Sequence, residues 1–271
     1  MIRLILALCL TTFSARADEP LLYLHGQPRQ GEMLFAFATP KARVSLNGVE
    51  ITPRKDGWFV VGIGRNDTGD LTFTVKRHGK TVEKTFKIQP RDWKIQRIDG
   101  LPDNKVNPSP EESARIEKEF LATADARAKK VKMQLPLCFQ MPAKGRISSI
   151  YGSQRILNGE EKSPHNALDI AAATGTPVFA PADAKVLLAY DEMFLTGKTI
   201  LLAHGQKVTT SYSHLSKLDV ETGDKVKKGQ KIGEIGSTGR ATGPHLHWVV
   251  MWRDKRVDPA VFIKNSKAFC E

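Results

Sequence analysis

Apolar and polar residues alternate with period two along most of this chain, the pattern of strands buried on one face. In the first third, strand candidates fall at 33–38, 43–46, 57–61, 71–76 and 81–88. The dipeptides Asn47-Gly48, Asp56-Gly57 and His78-Gly79 separate them as turns, and Asn-Gly is a strong hairpin signal. Short strands at this spacing predict a small Ig-like β-sandwich over residues 18–95. His25 and His78 stand among them without Cys or carboxylate partners in the pattern, so no chemistry is assigned there.

The alternation breaks at Leu101-Pro-Asp-Asn-Lys-Val-Asn-Pro-Ser-Pro110, where three prolines exclude regular structure and mark a linker. Period 3.6 then takes over. Ser109 is placed to cap a helix whose first position is Pro110 and whose capping box is closed by Glu112. The helix is expected over about 110–131, with Ile116, Phe120, Ala124 and Ala128 as its apolar stripe. Glu111/Arg115 and Asp125/Lys129 would be its i,i+4 pairs. Such a stripe must pack on something: it braces the two halves of the chain or covers a groove in the second. Linker and helix together occupy 96–135. From Gly145 the period returns to two with many glycine turns, in a final unit spanning 136–271, where 153–163 reads as a long loop.

The chain has 271 residues, enough for two units with a core each. Residues 1–17 read as a signal peptide: Arg3 is the basic start, 4–13 is mostly apolar, and Ala15-Arg-Ala17 fits a cleavage site. The apolar run falls short of the roughly twenty residues that span a bilayer. The expected mature chain begins at Asp18, without a membrane anchor, exported to the periplasm. Cys9 leaves with the leader, and Cys138 and Cys270 remain, either to pair in an oxidising compartment or to stand as two separate buried thiols. The formal charge of +12 loses Arg3 and Arg16, leaving +10. A basic exported protein meets anionic envelope surfaces. Export and the lack of any nucleic-acid motif argue against a nucleic-acid partner.

The densest chemistry lies in Thr238-Gly-Arg-Ala-Thr-Gly-Pro-His-Leu-His-Trp248. His245 and His247 open an apolar strand, and residues i and i+2 of a strand share a face. Ser163-Pro-His-Asn-Ala-Leu-Asp-Ile170 adds His165 and Asp169, and Tyr212-Ser-His-Leu215 adds His214. Two His and one Asp suffice to hold zinc with a position left open, the ligand count of a catalytic site. Each signal has a plain alternative, since His-x-His pairs also occur exposed on strands and a single His is often structural.

The blocks Ile147-Ser-Ser-Ile-Tyr-Gly152, His165-x-x-x-Asp169, Gly175-Thr-Pro-Val178, His204-Gly205, Tyr212-Ser-His-Leu-Ser216, Gly223-Asp-Lys-Val226 with Gly229-Gln230, and Gly-Pro-His-Leu-His247 occur together and in order. Over about Gly145 to Pro259 the chain thereby resembles the LytM-type, lysostaphin-like zinc metallopeptidases that cut peptidoglycan. With the strand and helix readings above, the resemblance completes a mainly β protein: an Ig-like sandwich, a helical linker and, as the resemblance implies, a C-terminal antiparallel-β LytM-type peptidase domain. It implies one zinc on His165, Asp169 and His247, with His245 as general base and a protonated His214 stabilising developing charge. The implied substrate is the peptidoglycan stem peptide, cut as a D,D-endopeptidase cuts, at D-Ala–diaminopimelate bridges. The alternative is a LytM-like activator of a separate wall amidase that has no catalysis of its own. A protein regulator is compatible with the sequence, which identifies none. Ala167 and Ala184 stand where the family favours Gly, which leaves the local backbone open there. Residues 223–235 also resemble lipoyl and biotinyl carrier domains, but the His-Leu-His strand follows instead of a lysine-tipped hairpin.

Overall fold

The computed structural model describes residues 21–100 and 108–270. The leader reading of residues 1–17, the start at Asp18, Cys9 and most of the proline-rich linker lie outside them. The N-terminal strands are β1 (Leu22–His25), β2 (Met33–Ala38), β3 (Arg43–Leu46), β4 (Val49–Ile51), β5 (Trp58–Gly62), β6 (Asp70–Arg77), β7 (Lys80–Lys87) and β8 (Ile95–Ile98). The first seven form two antiparallel sheets, β1-β2-β5 and β4-β3-β6-β7. Phe59 and Phe73, one from each sheet, meet in their shared core with ring centroids 6.2 Å apart. Asn47-Gly48 and His78-Gly79 turn the hairpins, all four residues at positive φ, as tight two-residue turns demand.

Helix α1 covers Pro110–Ala128 and starts as its sequence requires. The Ser109 side chain accepts from the Glu112 N–H at 3.2 Å, and the Glu112 carboxylate accepts from the Ser109 N–H at 2.8 Å. Its buried face differs from the expected stripe. Glu119 and Ala126 are buried, whereas Phe120 is 58% exposed. Ala126 packs with Leu187, Leu201 and Ala203, and Glu119 is satisfied by Arg115 Nε at 2.8 Å and by the Phe194 N–H at 2.8 Å. A paired glutamate can occupy a buried position that a hydrophobic pattern does not anticipate.

The C-terminal strands are β9 (Arg146–Ser149), β10 (Gln154–Leu157), β11 (Glu160–Lys162), β12 (Leu168–Ala171), β13 (Pro177–Phe179), β14 (Ala184–Met193), β15 (Gly197–Gly205), β16 (Val208–Leu218), β17 (Lys225–Val226), β18 (Lys231–Ile235), β19 (His245–Trp252) and β20 (Lys255–Val257). The large sheet runs β17-β14-β15-β16-β19-β12-β9, with β18 and β20 attached to β16 and β19. Even-numbered residues of its central strands, among them Ile200, Tyr212, Leu246 and Trp248, enter the core. The segment 153–163 is not a loop but the hairpin β10–β11, reversed at Asn158-Gly159 with both at positive φ. Strand β8 adds to it in parallel, Gln154 opposite Ile95, so the start of the expected linker is part of a sheet. Neither Ala167 nor Ala184 has positive φ, which removes the steric reason for glycine there.

A final helix, α2 (Pro259–Ser266), is capped by Asp258, whose carboxylate accepts from the Ala260 N–H at 3.0 Å. The same carboxylate pairs with Arg91 at 2.8 Å, and Phe35 stacks on Phe262 at 5.9 Å. One buried cluster runs through both halves of the chain. Cys138 and Cys270 form a disulfide, with Cα atoms 4.8 Å apart.

Candidate metal and active site

Strand β19 carries His245 and His247 on one face while Leu246 between them is fully buried. The neighbouring strands place the partners. In the antiparallel register Asp169 of β12 lies opposite His247 on one side, and Ser213 of β16 on the other. His165 enters from the turn before β12. Its N–H donates to Ser153 O at 2.8 Å and its carbonyl accepts from Gly152 at 2.7 Å. The His165 ring is anchored at Nδ1 by Ser149 Oγ at 3.0 Å and Ile150 O at 3.1 Å, which leaves Nε2 facing inward.

There the three side chains converge. Asp169 Oδ2 lies 3.1 Å from His165 Nε2, and Asp169 Oδ1 lies 2.8 Å from His247 Nδ1. The candidate ligand atoms all lie within 4.8 Å of one another, the one such group among the described residues. Burial works against the Asp169 charge, but hydrogen bonds from His165 and His247 outweigh it and hold the carboxyl well below its usual range. Burial pushes the His247 pKa down, against the pull of Asp169. A permanent carboxylate flanked by two imidazole nitrogens suits zinc, a borderline-soft cation that takes N and O ligands.

The other two imidazoles stand beside this group. His214 and His245 have ring centroids 4.7 Å apart, and His214 lies 5.8 Å from His247. His245 Nδ1 lies 2.8 Å from Gly243 O, and His214 Nδ1 lies 2.8 Å from Thr238 O. A carbonyl only accepts, so both Nδ1 atoms carry the proton and each neutral ring keeps a lone pair on Nε2. His214 sits at φ +63, outside the strand conformation, with its N–H donating to Thr196 O at 2.8 Å. Backbone strain of this kind clusters at functional sites. Burial, then the charge of His247, pulls His214 down to about 4. At neutral pH the resting ring is therefore neutral, whereas the role implied by the resemblance needs a protonated His214. The group that carries charge at neutral pH is Asp169 instead.

All five sequence candidates thus belong to one cluster, on one face of the large sheet. The groove beside it, about 530 Å³, is lined by both His165 and His247, by Leu201, Ser211 and Val249 of the sheet, and by α1. Arg127, Arg155, Arg240 and Arg256 also line it. They come from four separate elements, and no motif in the sequence links them.

The profile of peptidase family M23 matches residues 163–259, which hold all five histidine and aspartate positions. A Pseudomonas aeruginosa crystal structure assigned to peptidase M23 is 32% identical with a TM-score of 0.68, over 88% of this chain and 96% of that one. This chain belongs to peptidase family M23. Among curated M23-like relatives, peptidoglycan DD-endopeptidase ShyA of Vibrio cholerae is 38% identical over 121 residues, 44% of this chain and 28% of that protein. Peptidoglycan DD-endopeptidase ShyB of the same organism is 42% identical over 95 residues, 35% of this chain and 22% of that protein. The chain matches about a quarter of the length of these curated relatives. Ser149 and Thr238 hold the His165 and His214 rings and Thr196 O holds the His214 backbone N–H, and none of the three was given a role from the sequence. Only the conformationally free Gly239 next to Thr238 hinted at a constrained turn there.

Proposed function

We propose that this chain is an exported zinc endopeptidase that hydrolyses peptide cross-links of peptidoglycan, most directly the D-Ala–diaminopimelate amide. The observation that carries this reading is the convergence of His165, Asp169 and His247 beside two further imidazoles, each with Nδ1 2.8 Å from a backbone carbonyl. Its M23 membership and its likeness to two proteins described as peptidoglycan DD-endopeptidases support it. The leader-like pattern of residues 1–17 and the disulfide support an oxidising, periplasmic location.

His165, Asp169 and His247 would hold one zinc ion. When bound, zinc supplies Lewis acidity, polarising the scissile carbonyl and making water more acidic. His245 accepts the proton of the attacking water at Nε2, because Gly243 O fixes the hydrogen on Nδ1. It returns that proton to the leaving amine. His214 reaches the same space from the β16 side, held by Thr238 O. Carrying a proton of its own on Nε2, separate from the one His245 moves, it would donate to the oxyanion. Ser211 and Val249 line the groove beside these residues.

The test is digestion of purified cross-linked muropeptide dimers by the zinc-loaded protein, read by mass spectrometry. Monomers with intact glycan and lactyl-amide bonds are expected, and a chelator should stop their formation. Dimers left intact by a folded, zinc-loaded protein that stimulates a separate amidase would replace this reading with the activator one.

A further inference from the structure

The groove beside the metal ligands concentrates positive charge that the proposed hydrolysis does not use. Arg155 of β10 acts electrostatically on His247 and Asp169, and on Arg240 from the turn before β19. Arg127 of α1 likewise faces Arg256 of β20. Glu119 is the one acid among the groove-lining residues, and it is engaged by Arg115 and the Phe194 N–H. Arg127 and Arg155 are half-buried, each with its Nε shielded from water and unbonded. Among the described residues neither forms an ion pair. Burial, then Arg256, lowers Arg127 to about 10, which reports how poorly this charge is compensated.

Buried donors without acceptors are costly, and like charges gathered in one groove add repulsion. A fold keeps such an arrangement where a ligand supplies the missing acceptors. The guanidinium is planar, permanently charged and matched to a carboxylate through two parallel hydrogen bonds. We infer that Arg155 and Arg127, with Arg240 and Arg256 beside them, form a binding site for the free carboxylates of the peptide substrate. This rests on the peptide-cutting reading of the adjoining metal site and adds the feature of the substrate that is recognised. In a D-Ala–diaminopimelate cross-link the carbon bearing the leaving amine also carries a free carboxylate. Arg155, electrostatically coupled to the metal ligands, is placed for that group. The Arg127/Arg256 pair would take a second carboxylate further along the stem. A glycine bridge offers no carboxylate beside its scissile amide, so the same groove selects against it.

The experiment compares two dimers that differ only in that one carboxylate, free or amidated, so the protein itself is untouched. Zinc-loaded wild type should cut the free-acid dimer at least about 10-fold more efficiently, through KM, as charge-assisted hydrogen bonds predict. Arg155→Gln and Arg127→Gln should lose about 10-fold or more on the free-acid dimer and little on the amidated one. Equal cleavage of both dimers by wild type, or equal losses on both in the variants, overturns the inference. Binding of the same two dimers to the zinc-loaded His245→Ala protein, followed by calorimetry, separates this inference from the endopeptidase reading. Preference for the free acid there supports the carboxylate site even if neither dimer is cut, and equal binding overturns it whatever the cleavage result.

Discussion

The carbonyl of Thr238 accepts from His214 Nδ1 at 2.8 Å, and the hydroxyl of the same residue ties two strands together. Thr238 Oγ1 accepts from the Lys198 N–H at 3.0 Å and donates to Leu215 O at 2.8 Å. The turn carrying Thr238 is seated this closely because it crosses glycine on glycine. A Cβ on Gly239 would lie 2.4 Å from Gly197 N, and one on Gly197 would lie 2.1 Å from Thr238 Oγ1. Both glycines also have positive φ. The His214 imidazole on β16 is thus held in its direction by a turn more than twenty residues away.

Thr238→Val removes both hydroxyl bonds but keeps the carbonyl. It should lower kcat about 10-fold with zinc content unchanged, since it loosens a positioning contact and leaves every ligand in place. Gly239→Ala should cost more, because the backbone itself must move. Zinc content by elemental analysis beside kcat is the check, and loss of zinc in Thr238→Val would contradict the assignment.

The ligand and proton-transfer roles separate in the same measurement. His165→Ala, Asp169→Ala and His247→Ala should each lose bound zinc and all activity, because two ligands bind the ion poorly. His214→Ala and His245→Ala should retain zinc and lose turnover by roughly 10²-fold or more. Full zinc occupancy in His247→Ala, or its loss in His245→Ala, would exchange the roles.

The convergence of the His and Asp side chains was legible because local rules fix it. His245 and His247 share a face by strand period, and His165 with Asp169 resembles a family motif that strand pairing then brings opposite His247. The strand content, the helix start at Ser109 and the Asn-Gly turns were legible for the same reason. The groove was not. Its four arginines are brought together only by tertiary packing, from positions as far apart as Arg127 and Arg256. The buried face of α1 was misread because Glu119 enters the interior with its partners, which a hydrophobic stripe through Phe120 does not anticipate. The hairpin at 154–162 carried its Asn-Gly signal openly, but short polar strands around it resemble a loop in pattern.

Helix α1 walls the groove, and its role there can be read from a single buried alanine. Ala126→Glu places a charge among Leu187, Leu201 and Ala203 and should lift the helix from the sheet. Since this also withdraws Arg127, KM for free-acid dimers should rise about 10-fold while the fold of the large sheet persists. Increased activity on soluble dimers would instead identify the helix as a cover over the site.

Joining Cys138 to Cys270 closes a loop of 132 residues around the M23 unit. The chain-entropy argument puts its stabilisation at about 5 kcal/mol, as an upper value. The Cys138→Ala/Cys270→Ala double variant should melt markedly lower and keep zinc binding at low temperature, because no ligand contacts the bond. An unchanged melting temperature would show that α2 and the shared core already hold the C-terminus in place.

His204 gives the stability of the fold a pH dependence separate from the active site. Its ring is fully buried, with Nδ1 donating to Asp183 O at 3.0 Å and Nε2 accepting from Thr210 Oγ1 at 2.9 Å. Both ring nitrogens are therefore used in the neutral form. Burial outweighs the pull of Asp183 and lowers its pKa from 6.5 to about 4. Between these values the unfolded chain binds a proton that the folded chain refuses, so stability rises with pH across that window. The contribution is complete above about pH 6.5, declines as the pH falls, and is exhausted near pH 4, on the order of 3 kcal/mol in all. Thermal melts of the wild type should lose several degrees from pH 7 to pH 4.5. In His204→Gln, which is less stable at neutral pH, that acid slope should flatten. An equal slope in both proteins would place the titrating group elsewhere, and the metal-free form should give the same answer because His204 lies outside the proposed zinc ligands.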